Sequence, residues 1–209
     1  MASSIEMASA VAAAMGLEDE TVQLYLKNIR AAGAISFKGY GRSAASMTPL
    51  DAARLLIVVV GYGVARNSAA FLKDFAPMEA LNQKLNGKNL EQFLADRIGT
   101  DWRTPPLQRG FSARHHKEAF TKAQEALKLF WIEGTQGAKL PRVAVVRWAR
   151  PKGGGFGVAT FVSRPLPLKL TSFDEGRLAE IYPDIGLIQT RTVSLRSVVD
   201  ISEALRVST

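Results

Sequence analysis

Apolar spacing is clearest between Ala10 and Thr48, which read as a helix, a tight turn, a second helix and a short glycine-containing β-ribbon. Ala12, Gly16 and Val22 fall where two crossing helices need a small residue, a turn glycine and a buried branched side chain. Met15, Leu17, Leu26 and Ile29 add core positions at helical spacing. Upstream, Ser3 or Ser4 caps a helix that begins near Ile5 and ends at Met15. After Gly33, a strand over Ala34 to Phe37, a tip at Lys38 to Arg42 and a return over Ser43 to Met47 complete the ribbon. The next helix starts with Thr48 as N-cap, Pro49 at its first position and Asp51 three residues after the cap.

That helix, Pro49 to about Val60, is apolar on nearly every face, which predicts burial in a domain core or a subunit interface. Gly61-Tyr62-Gly63 breaks it as a loop. From Asn67 to Gly99 the pattern predicts short helices at Ser68 to Phe75, Met78 to Leu85, and Leu90 to Ile98 capped by Asn89. Gly99 to Gly110, with Trp102, Pro105 and Pro106, reads as a boundary. Beyond it, Ser112 caps an expected helix to about Ile132, the longest of the chain, with Ala119, Phe120, Ala123, Leu127 and Phe130 on its apolar face.

Strand signals dominate the last third. Arg142 to Ala149 and Phe156 to Ser163 flank a hairpin tip, Lys152-Gly153-Gly154-Gly155. Leu166 to Leu170 reads as a short strand, Phe173 to Ile181 as a helix, Leu187 to Val193 as a strand, and about Ser197 to Arg206 as a closing helix. The fold class expected is α+β, in three parts: residues 1–64, a helical layer and linker over 65–110, and a basic α+β domain with a β-hairpin over 111–209.

The Ala10 to Val60 segment, about a quarter of the chain, resembles the winged helix-turn-helix domains of bacterial and phage DNA-binding proteins. The resemblance implies a second helix, about Asp19 to Ala31, in the DNA major groove and a wing tip on the backbone or minor groove. By position the DNA-facing candidates are Thr21, Gln23, Lys27 and Arg30 on the helix, with Lys38, Tyr40 and Arg42 on the wing. Glu18, Asp19 and Glu20 open that helix; they suit its dipole and repel a polyanion, although a carboxylate accepts from a cytosine amino group.

Charge then adds a second candidate surface. The chain of 209 residues carries a net charge of +8. Residues 101–170 alone hold thirteen basic and four acidic side chains, a net of +9, so the remainder is close to neutral. Arg147, Arg150 and Lys152, interleaved with Trp148 and Phe156 on the hairpin, form a ribbon suited to a phosphate backbone.

Apolar residues make up 47% of the chain, enough for a core. With no cysteine, thiolate chemistry and disulfides are excluded, which fits a cytoplasmic protein. No segment reads as a signal peptide or membrane span. His115 and His116 are adjacent and point to different helix faces, so they do not form a metal pair. The glycines at the hairpin tip lack the following Lys-Ser/Thr of a phosphate loop, and no nucleophile, base and acid arrangement emerges. The expectation is a non-enzymatic protein without cofactor that binds double-stranded DNA as a homodimer, most simply a transcriptional regulator. The alternatives are a phage DNA-packaging subunit akin to small terminases and a winged helix that docks a protein and never touches DNA.

Overall fold

The computed structural model describes residues 2–35, 46–61, 65–80, 87–99, 126–133, 143–149, 156–162 and 187–207. Helix α1 spans Ser4–Met15 and opens with a capping box, the Ser3 hydroxyl accepting from the Glu6 N–H while the Ser3 N–H donates to Glu6. It closes at Gly16, whose φ of 65° is left-handed. Leu17 N–H then reaches the Ala12 carbonyl at 2.9 Å, closing the last turn and starting α2 (Asp19–Ala31) two residues later.

Helix α2 is amphipathic. Val22, Tyr25, Leu26 and Ile29 are buried, while Gln23, Leu24 and Lys27 face outward. Ala12 and Val22 are both fully buried, as their spacing predicts, and the Ser9 hydroxyl donates to Asp19 across the turn. Ala34 N–H to the Ile29 carbonyl and Gly33 N–H to Arg30 close α2. Ala34, Ile35, Ser46 and Met47, the described ends of the expected β-ribbon, have no strand pairing; its tip lies outside the described residues. Met47 N–H donates instead to the carbonyl of Ala2.

Helix α3 (Pro49–Gly61) buries ten of its thirteen residues and is the pillar of the helical layer. Its start is the expected box: Asp51 N–H donates to the Thr48 hydroxyl, and Thr48 donates through N–H and O–H to the Asp51 carboxylate. Each fully buried Leu, Ile or Val here contributes roughly 1.5–3 kcal/mol, so a helix this apolar is stable only in the interior. Around it pack α2, α4 (Ser68–Phe75) and α5 (Leu90–Gly99), with a 3₁₀ turn at Ala65–Asn67 before α4. Asn28 on α2 donates to the Ala65 carbonyl at 2.8 Å, tying that turn to α2. Asn89 caps α5 by accepting from Gln92 N–H.

Two expected helices are strands where the structure describes them. Glu79–Ala80, placed by periodicity in a helix from Met78 to Leu85, is strand β1. Its backbone groups pair with Phe161 and Val162, which outweighs a local helical preference; residues 81–85 lie outside the described residues. Ala126–Glu133, the end of the expected long helix from Ser112, is strand β2. Leu127 to Ile132 combines apolar, aromatic and β-branched residues, and as a central strand the segment hydrogen-bonds on both edges. Residues 112–125, with His115 and His116, lie outside the described residues.

Strands β3 (Val143–Ala149), β4 (Phe156–Val162) and β5 (Leu187–Ser194) fall within about a residue of their expected positions. The sheet is antiparallel throughout, in the order β1-β4-β3-β2-β5. Helix α6 (Leu195–Val207) follows β5 directly and returns to pack on α1 and α5. Contacts cross the expected boundary at Gly99 to Gly110: Phe93 of α5 meets Phe161 of β4 at 5.4 Å between ring centroids, and Arg206 of α6 donates to the Gly99 carbonyl. Residues 100–110 lie outside the described residues, as do the expected elements at Leu166 to Leu170 and Phe173 to Ile181.

Candidate nucleic-acid interface

The packing of α2 against α1 and the core positions the first group of candidates. Because Val22, Tyr25, Leu26 and Ile29 lock one side of α2 into the core, the stripe at positions 20, 23, 24 and 27 is turned outward. Gln23 and Lys27 are exposed, while Thr21 and Arg30 are half-buried. Gln23, Lys27 and Arg30 come together on a cleft of about 410 Å³ between α2 and the start of α1; Thr21 does not line it.

The same cleft holds three residues that apolar periodicity and charge had not marked as a group: Ile5, Glu20 and Leu24. Ile5 is 65% exposed and Leu24 49%. The signal for them was in the sequence, since Glu20, Leu24 and Lys27 share an i, i+4, i+7 stripe, but Ile5 joins them only through the fold. The cleft is therefore neither uniformly basic nor uniformly apolar: two cations, a carboxylate, an amide, a hydroxyl and three aliphatic side chains share it.

The wing candidates Lys38, Tyr40 and Arg42 lie outside the described residues. What the structure gives is the root of that segment. Arg54 of α3 donates from Nη1 to the Ala34 carbonyl at 2.7 Å and from Nε to Glu91 of α5 at 2.7 Å, so the exit from α2 is clamped to two core helices. The hydrogen bond to Glu91 raises the Arg54 pKa above its ordinary value, and the partial burial of the guanidinium opposes this.

Of the hairpin candidates, Arg147 stands in β3 paired with Ala126 of β2 and Val158 of β4, so it occupies a central strand. Arg150 and Lys152 lie outside the described residues. The antiparallel pairing of β3 with β4, from Val143 opposite Val162 to Ala149 opposite Phe156, brings the two ends of the glycine-rich tip side by side. The expected hairpin is thus present up to its tip.

Among the described residues, no group of three or more His, Asp or Glu side chains is placed to hold a metal ion, and no helix is long and apolar enough to cross a membrane. Comparison with protein-family models, curated proteins and solved structures gives no match.

Proposed function

We propose that this chain is a non-enzymatic DNA-binding protein of α+β organisation, with an N-terminal winged helix-turn-helix, acting as a homodimer in the cytoplasm, most simply as a transcriptional regulator. The observation that carries the reading is the pair α1 and α2, joined by a tight glycine turn, with the outer stripe of α2 held away from the core. The charge distribution supports it: residues 101–170 carry +9, and in sequence Arg147 falls within β3 while Arg150 and Lys152 fall between β3 and β4.

In this reading the wing residues Lys38, Tyr40 and Arg42 position the motif on the duplex. The hairpin supplies sequence-independent affinity, and Thr21, Gln23, Lys27 and Arg30 are the base-reading candidates of α2. A mobility-shift titration of the purified chain tests it. Binding to duplex DNA at low salt that weakens steeply as salt rises is the expected result; no binding to any duplex at low salt overturns the proposal.

A second reading concerns α2 alone. Exposed Leu24 and Ile5, with Glu20 sharing the cleft with Lys27 and Arg30, favour a protein surface over a phosphate surface for this one face. DNA contact then rests with the wing and the hairpin.

A further inference from the structure

Among the described residues, Ile5 and Leu24 are the exposed large hydrophobic side chains, and both line the α1–α2 cleft. A single exposed aliphatic residue is ordinary on any surface; two on one concave face that also holds Glu20, Lys27 and Arg30 are the composition of a contact surface. What decides the partner is the arrangement of those charges along α2.

Glu20 and Lys27 lie seven residues apart on the same outward stripe, with Gln23 and Leu24 at the midpoint between them. If a second α2 lies antiparallel across the first, with a two-fold axis passing between Gln23 and Leu24, each position i faces position 47 minus i. Glu20 then faces Lys27 of the second copy, Lys27 faces Glu20, and each Leu24 meets the partner at the centre of the contact. The face is thus complementary to itself in charge, as an isologous contact requires. Among the described residues neither Glu20 nor Lys27 forms an ion pair within its own copy. Phosphate is the poorer occupant, because the cleft mixes Glu20 and the aliphatic Ile5 and Leu24 with the cations Lys27 and Arg30 instead of offering cations alone.

We propose that this α1–α2 face is where two copies of the chain meet, through antiparallel α2 helices crossing at Leu24 with paired Glu20–Lys27 contacts between copies. Ile5 and Ser4 of α1 widen the contact, since α2 at thirteen residues is only about 20 Å long. The inference rests on the second reading of α2; with that face occupied by the second copy, DNA falls to the wing and the hairpin.

The test is sedimentation velocity of the full chain, free of DNA, over a concentration series, with Glu20→Lys, Lys27→Glu, the double swap and Leu24→Ala. Wild type is expected to dimerise reversibly. Each single reversal places two like-charge pairs across the two-fold and weakens the dimer on the order of ten-fold, and the double swap restores it to within about three-fold. Leu24→Ala weakens it without dependence on salt. Thermal melts by circular dichroism confirm that each variant is folded, as substitutions at exposed positions allow. A protein that stays monomeric, a dimer indifferent to the single reversals, or a double swap that fails to restore association each overturns the proposal. Mobility shift with the double swap separates the two claims: restored dimers that bind no duplex sink the DNA reading alone, whereas a wild type that binds duplex yet stays monomeric across the whole concentration series sinks this one alone.

Discussion

Arg54 on α3 and Glu91 on α5 form an ion pair at 2.7 Å between Nε and Oε2, with the two side chains only 27% and 15% exposed. The same guanidinium donates to the Ala34 carbonyl, so one side chain joins the interior helix, α5 and the end of α2. Removing the carboxylate leaves a partly buried cation with one acceptor fewer. Glu91→Ala is therefore expected to lower stability by about 2 kcal/mol, within the range for hydrogen bonds to charged groups. Arg54→Lys keeps the charge but loses the fork, and is expected to cost about as much. Urea unfolding of Glu91→Ala, Arg54→Lys, Arg54→Ala and Arg54→Ala/Glu91→Ala checks this, the double losing less than the sum of Arg54→Ala and Glu91→Ala. Because Arg54 gains its partner on folding, its folded pKa is raised. The stabilisation is complete below the unfolded value and lost only as pH rises through the folded one, so high pH within any practical range leaves it intact.

At the other end of α3, a Cβ built on Gly61 would overlap Cε1 and Cζ of Phe71, whose ring is stacked on Phe75 at 4.2 Å between centroids. Glycine is required there by close approach. Gly61→Ala, which in an open helix position would stabilise, is expected to destabilise by about 1–3 kcal/mol through overpacking. In a Phe71→Ala background the same substitution is expected to be neutral or stabilising. Thermal unfolding of the four proteins in that cycle measures the coupling.

The elements that were legible in the sequence are those whose ends carry local chemistry. Ser3 with Glu6, Gly16, and Thr48 with Asp51 mark helix ends through hydrogen bonds spanning three to five residues, and α1, α2 and α3 lie where those residues put them. Ala126–Glu133 was not legible, because its apolar run fits a helix face as well as a strand until β3 and β5 supply partners at both edges. Glu79–Ala80 is strand only because β4, some 80 residues later, pairs with it. The site divides in the same way: the outward stripe of α2 follows from periodicity, whereas Ile5 beside Leu24 and the Arg54–Glu91 clamp depend on contacts between distant segments.

The capping box of α1 gives a prediction in pH. The Ser3 N–H, and after it the Ser3 hydroxyl, holds the Glu6 carboxyl below its ordinary value. A folded pKa lower than the unfolded one means that the ionised box stabilises the helix above the unfolded pKa. That contribution fades as pH falls through the folded value. A carboxyl-detected NMR titration is expected to find Glu6 titrating below a model glutamate, and Ser3→Ala to move it back toward the ordinary value. A Glu6 that titrates like a model peptide in the wild type contradicts the box.

If the wing and hairpin carry the phosphate contacts, counterion release gives each basic site a separable signature. Each neutralised phosphate contributes about 0.9 to the slope of log K against log salt, so Arg147→Ala/Arg150→Ala/Lys152→Ala is expected to lower that slope by about 3. Lys38→Ala/Arg42→Ala is expected to lower it by about 2 on the same arithmetic. Lys27 discriminates between the two uses of α2. As a phosphate contact, its removal takes about 1 from the slope for monomer and dimer alike. As a contact to a second copy, its removal leaves the slope per bound dimer unchanged and shifts only the protein concentration at which binding sets in. The latter is the expected outcome, because Lys27 shares its cleft with Leu24 and Ile5 and stands seven residues from the Glu20 that complements it. Fluorescence anisotropy on one duplex, run across salt at protein concentrations above and below the dimerisation midpoint, measures both quantities in the same experiment.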